Sequence, residues 1–297
     1  MTRGDFILGA MGICVGGCAV TPPSPRPASL KRVGEGYYAE GDYPDITKEI
    51  FERYLREGSG HPVLTGLDAA FEKVMDEAKE AVITDKPAVW FVYNMGLVVK
   101  TRESLFAVDQ MHRLAPRHAD RFDFALITHN HDDHYTVPFY ERMDGAHKTV
   151  VSNFRDNYGA HRPSGIGGYT RAEKTFRLKD VEIRTTLTDH NGYLVDFTTA
   201  FEIRVSDYTI FHSGDCSNVA KLNPSRRPNL WFVHPRCGMK ANLGVEKFHP
   251  ELTVIAHLNE LLHNKYRWTW ADGEAARRLV EKAGGKAIVP RWGERVV

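Results

Sequence analysis

The chain has 297 residues, enough for one large or two modest domains, and its 42% hydrophobic and 26% charged content is that of a globular protein rather than a disordered one. A formal net charge of +1 leaves no electrostatic footprint for a long phosphate backbone, so nucleic acid is not an expected partner. The four cysteines, at 14, 18, 216 and 237, form no CxxC pair, which excludes a cysteine zinc ribbon; Cys216 and Cys237 read as buried thiols.

In chain order, residues 6–17 (FILGAMGICVGG) come first, an apolar run of signal-peptide h-region length preceded by Arg3. Val15-Gly16-Gly17-Cys18 resembles a bacterial lipobox. Thr2-Arg3-Gly4-Asp5-Phe6-Ile7 resembles a twin-arginine signal with glycine in place of the second arginine. Residues 1–18 are therefore expected to be a leader and 19–45, rich in Pro and Ser, a solvated tether, with 46–297 as the folded domain. That order is the one an exported lipoprotein needs, held to the membrane through Cys18; the alternative is a cytoplasmic protein with a disordered start.

Helical spacing of Ile46, Ile50, Phe51 and Tyr54 before Gly58 predicts a helix over 46–58, and Leu67, Phe71, Val74 and Ala78 predict a second over 67–82. Short β-branched and aromatic runs then predict strands at 88–93, 97–100 and 105–108, and 122–128 (FDFALIT) reads as a strand buried on both faces. Further strands are expected at 148–152, 181–187, 194–205, 208–212, 230–234 and 252–256. Helices are expected at 136–142 and 272–283, the latter with Ala275, Leu279 and Val280 toward the core. Short strands with interspersed helices point to an α/β protein in which helices cover sheets.

The apolar strand ending at Thr128 runs directly into His129-Asn130-His131-Asp132-Asp133-His134. A histidine-rich solvated loop would not explain that strand. His129 and His131 alternate on a turn and can aim two imidazoles at one cation; Asp133 and His134 can reach a second. Imidazole nitrogen and carboxylate oxygen suit Zn²⁺, and also Mn²⁺ or Fe.

H-x-H-x-D-H after a hydrophobic strand resembles the signature of the metallo-β-lactamase superfamily. Asp109 in FAVD, His190 in TLTDHNG, Asp215 in FHSGDC and His257 in TVIAHLNE match that family's remaining motifs in order. The resemblance covers about residues 88 to 260 and implies a four-layer αββα sandwich. It implies one metal held by His129, His131 and His190, a second by Asp133, His134 and His257, and Asp215 between them, with Asp109 supporting the loop. Two divalent metals follow, Zn²⁺ first, with Mn²⁺ or Fe as alternatives.

What the resemblance implies for function is a dinuclear metal-dependent hydrolase. A metal-bridged hydroxide, oriented by Asp133, would attack a small-molecule ester, lactone, amide or phosphodiester. His234, Arg236 and His263 are candidate substrate-side residues, with His234 and His263 also candidates for delivering a proton to the leaving group. Tyr135, Tyr193 and Trp268 are candidates for an aromatic wall. The alternative is a mononuclear iron enzyme of the same fold that oxidises thiols or persulfides, and behind it a nucleic-acid-processing hydrolase.

Overall fold

The structure, a computed structural model, describes residues 45–154, 173–191, 194–235, 240–258, 261–262 and 268–297, with the backbone alone at 30–33 and 36–39. The expected leader with Cys18, most of the expected tether, Tyr193, Arg236, Cys237 and His263 lie outside the described residues. Within the expected tether, β1 (Leu30–Val33) and β2 (Gly36–Ala39) pair as an antiparallel hairpin.

Two helices follow. α1 (Lys48–Glu57) starts where the Thr47 side chain accepts a hydrogen bond from the Ile50 amide and stops at Gly58, whose φ of 82° only glycine adopts freely. α2 (Pro62–Glu80) begins five residues before the hydrophobic spacing predicts, because His61 caps it and Pro62 fits the first turn. Then come β3 (Ala88–Phe91), β4 (Leu97–Lys100), β5 (Leu105–Val108), β6 (Phe124–Leu126), α3 (Val137–Gly145) and β7 (Thr149–Val151). After these the chain forms β8 (Thr175–Leu178), β9 (Val181–His190), β10 (Leu194–Val205), β11 (Tyr208–His212), β12 (Leu230–Val233) and α4 (Ala241–Phe248). It ends with β13 (Leu252–Ile255), α5 (Trp270–Lys282), β14 (Ala287–Ile288) and β15 (Glu294–Arg295). Among the described residues no helix is long and apolar enough to cross a membrane.

The strands form two sheets. A six-stranded sheet runs β15-β3-β4-β5-β6-β7 and a seven-stranded sheet runs β14-β13-β12-β11-β10-β9-β8. Their facing sides share one apolar core, with Val89, Phe106 and Leu126 from the first sheet packed among Ile183, Phe201 and Phe232 from the second. The outer side of the six-stranded sheet is covered by α1, α2 and α3, through Phe51, Phe71 and Phe139 against Trp90 and Ala125. The outer side of the other is covered by α4 and α5, through Val245 and Val280 against Trp231 and Ile255. This is the αββα sandwich.

The topology decides where chemistry can sit. β5, β6 and β7 run parallel, as do β11, β12, β13 and β14. Their carboxyl ends open on one edge, where loops are free of sheet pairing and ligands are held in α/β proteins.

Two expectations need correction. The strand expected over 122–128 pairs only at Phe124–Leu126, because Thr128 leaves its sheet: its amide donates to Asp109 and its carbonyl accepts from Thr199 of β10. In α5 the core side is Gly273, Ala276 and Val280, while Leu279 is 45% exposed and Ala275 only half-buried. The cause is the Thr269–Asp272 capping box, which starts the helix at Trp270, together with Gly273, where a Cβ would run into Leu258.

Candidate metal centre

The expected ligands, the supporting Asp109 and the substrate-side candidate His234 each lie at the end of a strand or just past it. Asp109 follows β5, the 129–134 loop follows β6, His190 closes β9, Asp215 follows β11, His234 follows β12 and His257 follows β13. The loops bring them to one buried point; of the 129–134 cluster only Asp132 is exposed.

Asp109 sits beneath the loop, fully buried. Its Oδ1 accepts from the Thr128 amide at 2.7 Å, and its Oδ2 accepts from the Thr128 hydroxyl at 2.8 Å. The same Oδ2 lies 2.9 Å from His134 Nδ1. That contact places the proton on Nδ1 and turns the lone pair of His134 Nε2 inward, the way a carboxylate orients a metal-binding imidazole. His129 Nδ1 faces the Thr128 hydroxyl at 2.9 Å, so its Nε2 also points to the centre.

At the centre, His129 Nε2 and His131 Nδ1 lie 3.1 Å apart. His190 Nε2 lies 3.5 Å from Asp215 Oδ2, and His257 Nε2 lies 3.3 Å from that same oxygen and 3.0 Å from Asp133 Oδ2. His134 Nε2 is 3.3 Å from Asp215 Oδ1 and 3.6 Å from Asp133 Oδ2. Asp215 therefore stands between the two groups of histidines. Gly214 allows this: its φ is +52°, and a Cβ there would lie 2.7 Å from Thr198 Cγ2 and 2.9 Å from Thr128 Cβ.

The donor set fits a metal. His134 Nε2, Asp215 Oδ1 and His257 Nε2 are buried and in close mutual approach, yet none has a hydrogen bond of acceptable geometry. Buried polar atoms are seldom left so, and a bound cation would satisfy all of them. Among the described residues, four sets of three each bring their donor atoms within 4.8 Å of one another: His129–His131–His190, His129–His134–Asp215, Asp133–His134–His257 and Asp215–His234–His257.

The electrostatics sort these groups. Burial, reinforced by His134, pushes His129 well below the usual imidazole range, and burial with His190 lowers His131 to about 4. Both offer lone pairs at neutral pH. Burial opposes charge on His134 and His257 too, but the Asp215 and Asp133 carboxylates overcome it, holding His134 well above its ordinary value and His257 up to about 10. Burial would also raise the carboxyls, yet His257 and His134 hold Asp215 well below its usual range, and Asp133 is lowered likewise.

His234 sits closer to the cluster than a substrate-side position requires. Its ring stacks on His257 with centroids 3.9 Å apart and planes 4° from parallel. Burial, then His257, pushes it well below the usual range. Of the expected aromatic wall, Trp268 lies 5.9 Å from the His234 ring, while Tyr135 is buried against Tyr140 and Phe154. His212 is packed, its Nε2 3.0 Å from the Met95 carbonyl oxygen. Cys216 is a free buried thiol, pushed up to about 11 by burial.

Sequence reasoning missed Asn94. It is fully buried in the β3–β4 turn with φ of 56°; its Nδ2 donates to the Asp133 carbonyl at 2.7 Å and to Asp133 Oδ2 at 3.2 Å, and its own carbonyl accepts from the His257 amide at 2.8 Å. An asparagine two residues before a glycine, directly after an apolar strand, is the available signal, since such residues tolerate the left-handed turn. Sequence reasoning also missed Asp189, which anchors the segment before His190 by accepting from Lys221 at 2.6 Å and Asn218 at 3.0 Å. Phe197 is a third, its ring 5.0 to 5.7 Å from those of His129, His131 and His190.

Residues 90–233 match the family model described as a β-lactamase superfamily domain, and this span holds the 129–134 loop, His190 and Asp215. Over those residues the chain is similar to that superfamily. Its fold is that of solved metallo-β-lactamase-type proteins. Igni18, a metallo hydrolase from the archaeon Ignicoccus hospitalis, aligns with a TM-score of 0.57 at 20% identity, over 71% of this chain and 97% of that one. The metallo-β-lactamase fold protein YhfI from Bacillus subtilis aligns at 0.54 and 13% identity, over 71% and 99%. CmlA, a diiron β-hydroxylase from Streptomyces venezuelae, aligns at 0.51 and 16% identity, over 81% and 60%. No curated protein matched the chain.

Proposed function

We propose that the protein is a metal-dependent hydrolase of a small ester, lactone, amide or phosphodiester, with a dinuclear centre. The observation that carries this reading is the buried convergence of four imidazole and carboxylate sets within 4.8 Å among the described residues, with His134 Nε2, Asp215 Oδ1 and His257 Nε2 in close mutual approach at its middle. His129, His131 and His190 would hold one ion, and Asp133, His134 and His257 the other. Asp215 faces both sets. Zinc is the first choice for such donors, with manganese or iron as alternatives. Ions held there supply Lewis acidity, which polarises a substrate oxygen and lowers the pKa of water from 15.7 toward ~7.

The chain's own residues do the rest. Asp109 fixes the tautomer of His134. Asn94 holds the Asp133 loop in place, with the Asp133 carboxylate facing the centre, where it would accept a hydrogen bond from the attacking water and orient it. His234, buried and stacked on His257, would stand beside the second ion as a neutral imidazole.

The test is metal analysis of the purified protein together with a screen of nitrophenyl esters, lactones and phosphodiesters. Asp133→Ala and His131→Ala are expected to lose turnover while keeping the far-ultraviolet circular dichroism of the parent. Turnover by protein free of transition metal would overturn the reading. The same nitrogen and oxygen donors also suit iron, so a second reading, oxidative chemistry like that of the diiron relative, predicts oxygen consumption by the iron-loaded protein.

A further inference from the structure

The histidines of the centre are not all held in the same way. His134 and His129 have their outer nitrogens tied, Nδ1 of His134 to Asp109 at 2.9 Å and Nδ1 of His129 to the Thr128 hydroxyl at 2.9 Å. His257 has no such tie. Its Nδ1 is buried and meets no hydrogen-bond partner among the described residues, although its Nε2 faces Asp133 at 3.0 Å and Asp215 at 3.3 Å. The last torsion of a histidine side chain has broad minima, so an untied ring can turn and lose that direction.

What lies against this ring is His234. It is buried, and its ring is stacked on His257 with centroids 3.9 Å apart and planes 4° from parallel. The strand ends deliver it. The Ala256 amide donates to the Val233 carbonyl at 3.0 Å, one residue before each histidine. The left-handed φ of 60° at His257, whose amide is held by the Asn94 carbonyl at 2.8 Å, then brings the two rings together.

The same parallelism decides what His234 does not do. Donor atoms of Asp215, His234 and His257 lie within 4.8 Å of one another, which on distance alone would make His234 an eighth ligand. An imidazole lone pair, however, lies in the plane of its ring. Two stacked planes only 4° apart do not meet near the rings, so His234 and His257 cannot aim lone pairs at one ion.

We propose that His234 is the positioning residue of His257: its stacked ring, in place of a hydrogen bond, keeps His257 Nε2 turned toward Asp133 and Asp215, and His234 is not itself a ligand. This rests on the dinuclear reading above and adds what supports its second ion.

The experiment follows the histidine ring protons and ring nitrogens by NMR in the full chain, first metal-free and then titrated with zinc, for the parent, His234→Phe and His234→Ala. In the metal-free proteins the ring protons of His257 are expected upfield in the parent and in His234→Phe, where a flat ring shields them, and near ordinary values in His234→Ala. On zinc addition to the parent, His257 Nε2 is expected to shift as a ligand does, while both ring nitrogens of His234 keep the shifts of an unligated imidazole. Losing the partner that orients a metal-binding histidine lowers affinity about 10- to 100-fold, so His234→Ala should weaken the zinc read at His257 by about tenfold and spare the zinc read at His131. His234→Phe restores the stack without a nitrogen and should bind both ions much as the parent does.

Zinc on a His234 nitrogen would overturn the proposal. So would a His234→Phe protein that binds the second zinc as weakly as His234→Ala, or a His234→Ala protein that binds it as tightly as the parent. If His234→Ala does not fold, the parent alone still tests the stack, because His257 ring protons at ordinary shifts would overturn it. If zinc never reaches His257 in the parent, the dinuclear reading fails, and the metal-free ring protons still decide whether His234 holds that ring.

Discussion

Replacing Asp109 with asparagine changes one atom and tests how the centre is held. The backbone there is already left-handed, with φ of 44°, which asparagine tolerates. The difference lies in hydrogen bonding. Oδ1 accepts the Thr128 amide, while Oδ2 accepts the Thr128 hydroxyl and faces His134 Nδ1. If the amide oxygen of the asparagine stays on the Thr128 amide, its NH₂ meets His134 Nδ1. The imidazole must then move its proton to Nε2, where it blocks the lone pair that faces Asp133 and Asp215. If the amide is flipped, NH₂ meets the backbone N–H of Thr128. In the flipped case a buried donor faces a donor, costing about 1–3 kcal/mol; in the other the cost falls on metal binding, because Nε2 carries the proton. Loss of a partner that orients a metal-binding histidine lowers metal affinity about 10- to 100-fold. Zinc binding followed by chelator competition should show that loss in the site containing His134, with a smaller change in the site of His129, His131 and His190. An Asp109→Asn protein that is folded and binds zinc as tightly as the parent would refute this account of the loop.

Two further outcomes follow from groups away from the centre. His112 stacks on Phe71 at 4.3 Å, and burial, aided by Arg113, pushes it down to about 3. Its folded pKa lies below the unfolded value of about 6.5, so its contribution to stability is present above pH 6.5 and is lost as pH falls toward 3. Over that window it adds about 1.4 kcal/mol per pH unit to the slope of stability, so urea unfolding of metal-free His112→Phe from pH 7 to 4 should show a slope shallower by about one proton. Equal slopes would contradict the assignment. Gly244→Ala should lower stability by about 1–3 kcal/mol, because the added Cβ runs into the Trp231 ring on which α4 lies. The strain should also reach the centre, since Trp231 Nε1 donates to the Ser213 hydroxyl at 3.2 Å, two residues before Asp215, and zinc affinity measured beside thermal melting would reveal it.

The strands, the helices and the dense 129–134 cluster are legible in the sequence because they are local, whereas the αββα arrangement is implied only by the resemblance that the cluster and the later motifs carry. Strand and helix periods show in short windows, and a six-residue loop carries its chemistry with it. α4 is not legible, since Gly244 weakens the helix it sits in and makes sense only once Trp231 packs against it. The two-residue strands β14 and β15 exist only through their neighbours at the sheet edges. The stacking of His234 on His257 is hidden for a similar reason. Val233 pairs with Ile255, so the strand ends are adjacent, but His257 is one residue further along and returns only because its φ is 60°. Such proximity is a property of register and one backbone angle, and neither shows in residue spacing.

Asn94 belongs to a turn of the six-stranded sheet, yet it grips Asp133 of its own half and the backbone of His257 from the opposite half. The second ligand set is thus complete only when the two sheets have closed on each other. A cation bound there discriminates between closed and open chains, and it favours the closed form by RT ln(1 + [L]/Kd). The order of assembly follows: closure precedes full loading, and the ion then slows reopening. Chelation should therefore act first as a loosening of one sheet from the other, with amide exchange rising along the shared apolar face before either sheet melts on its own.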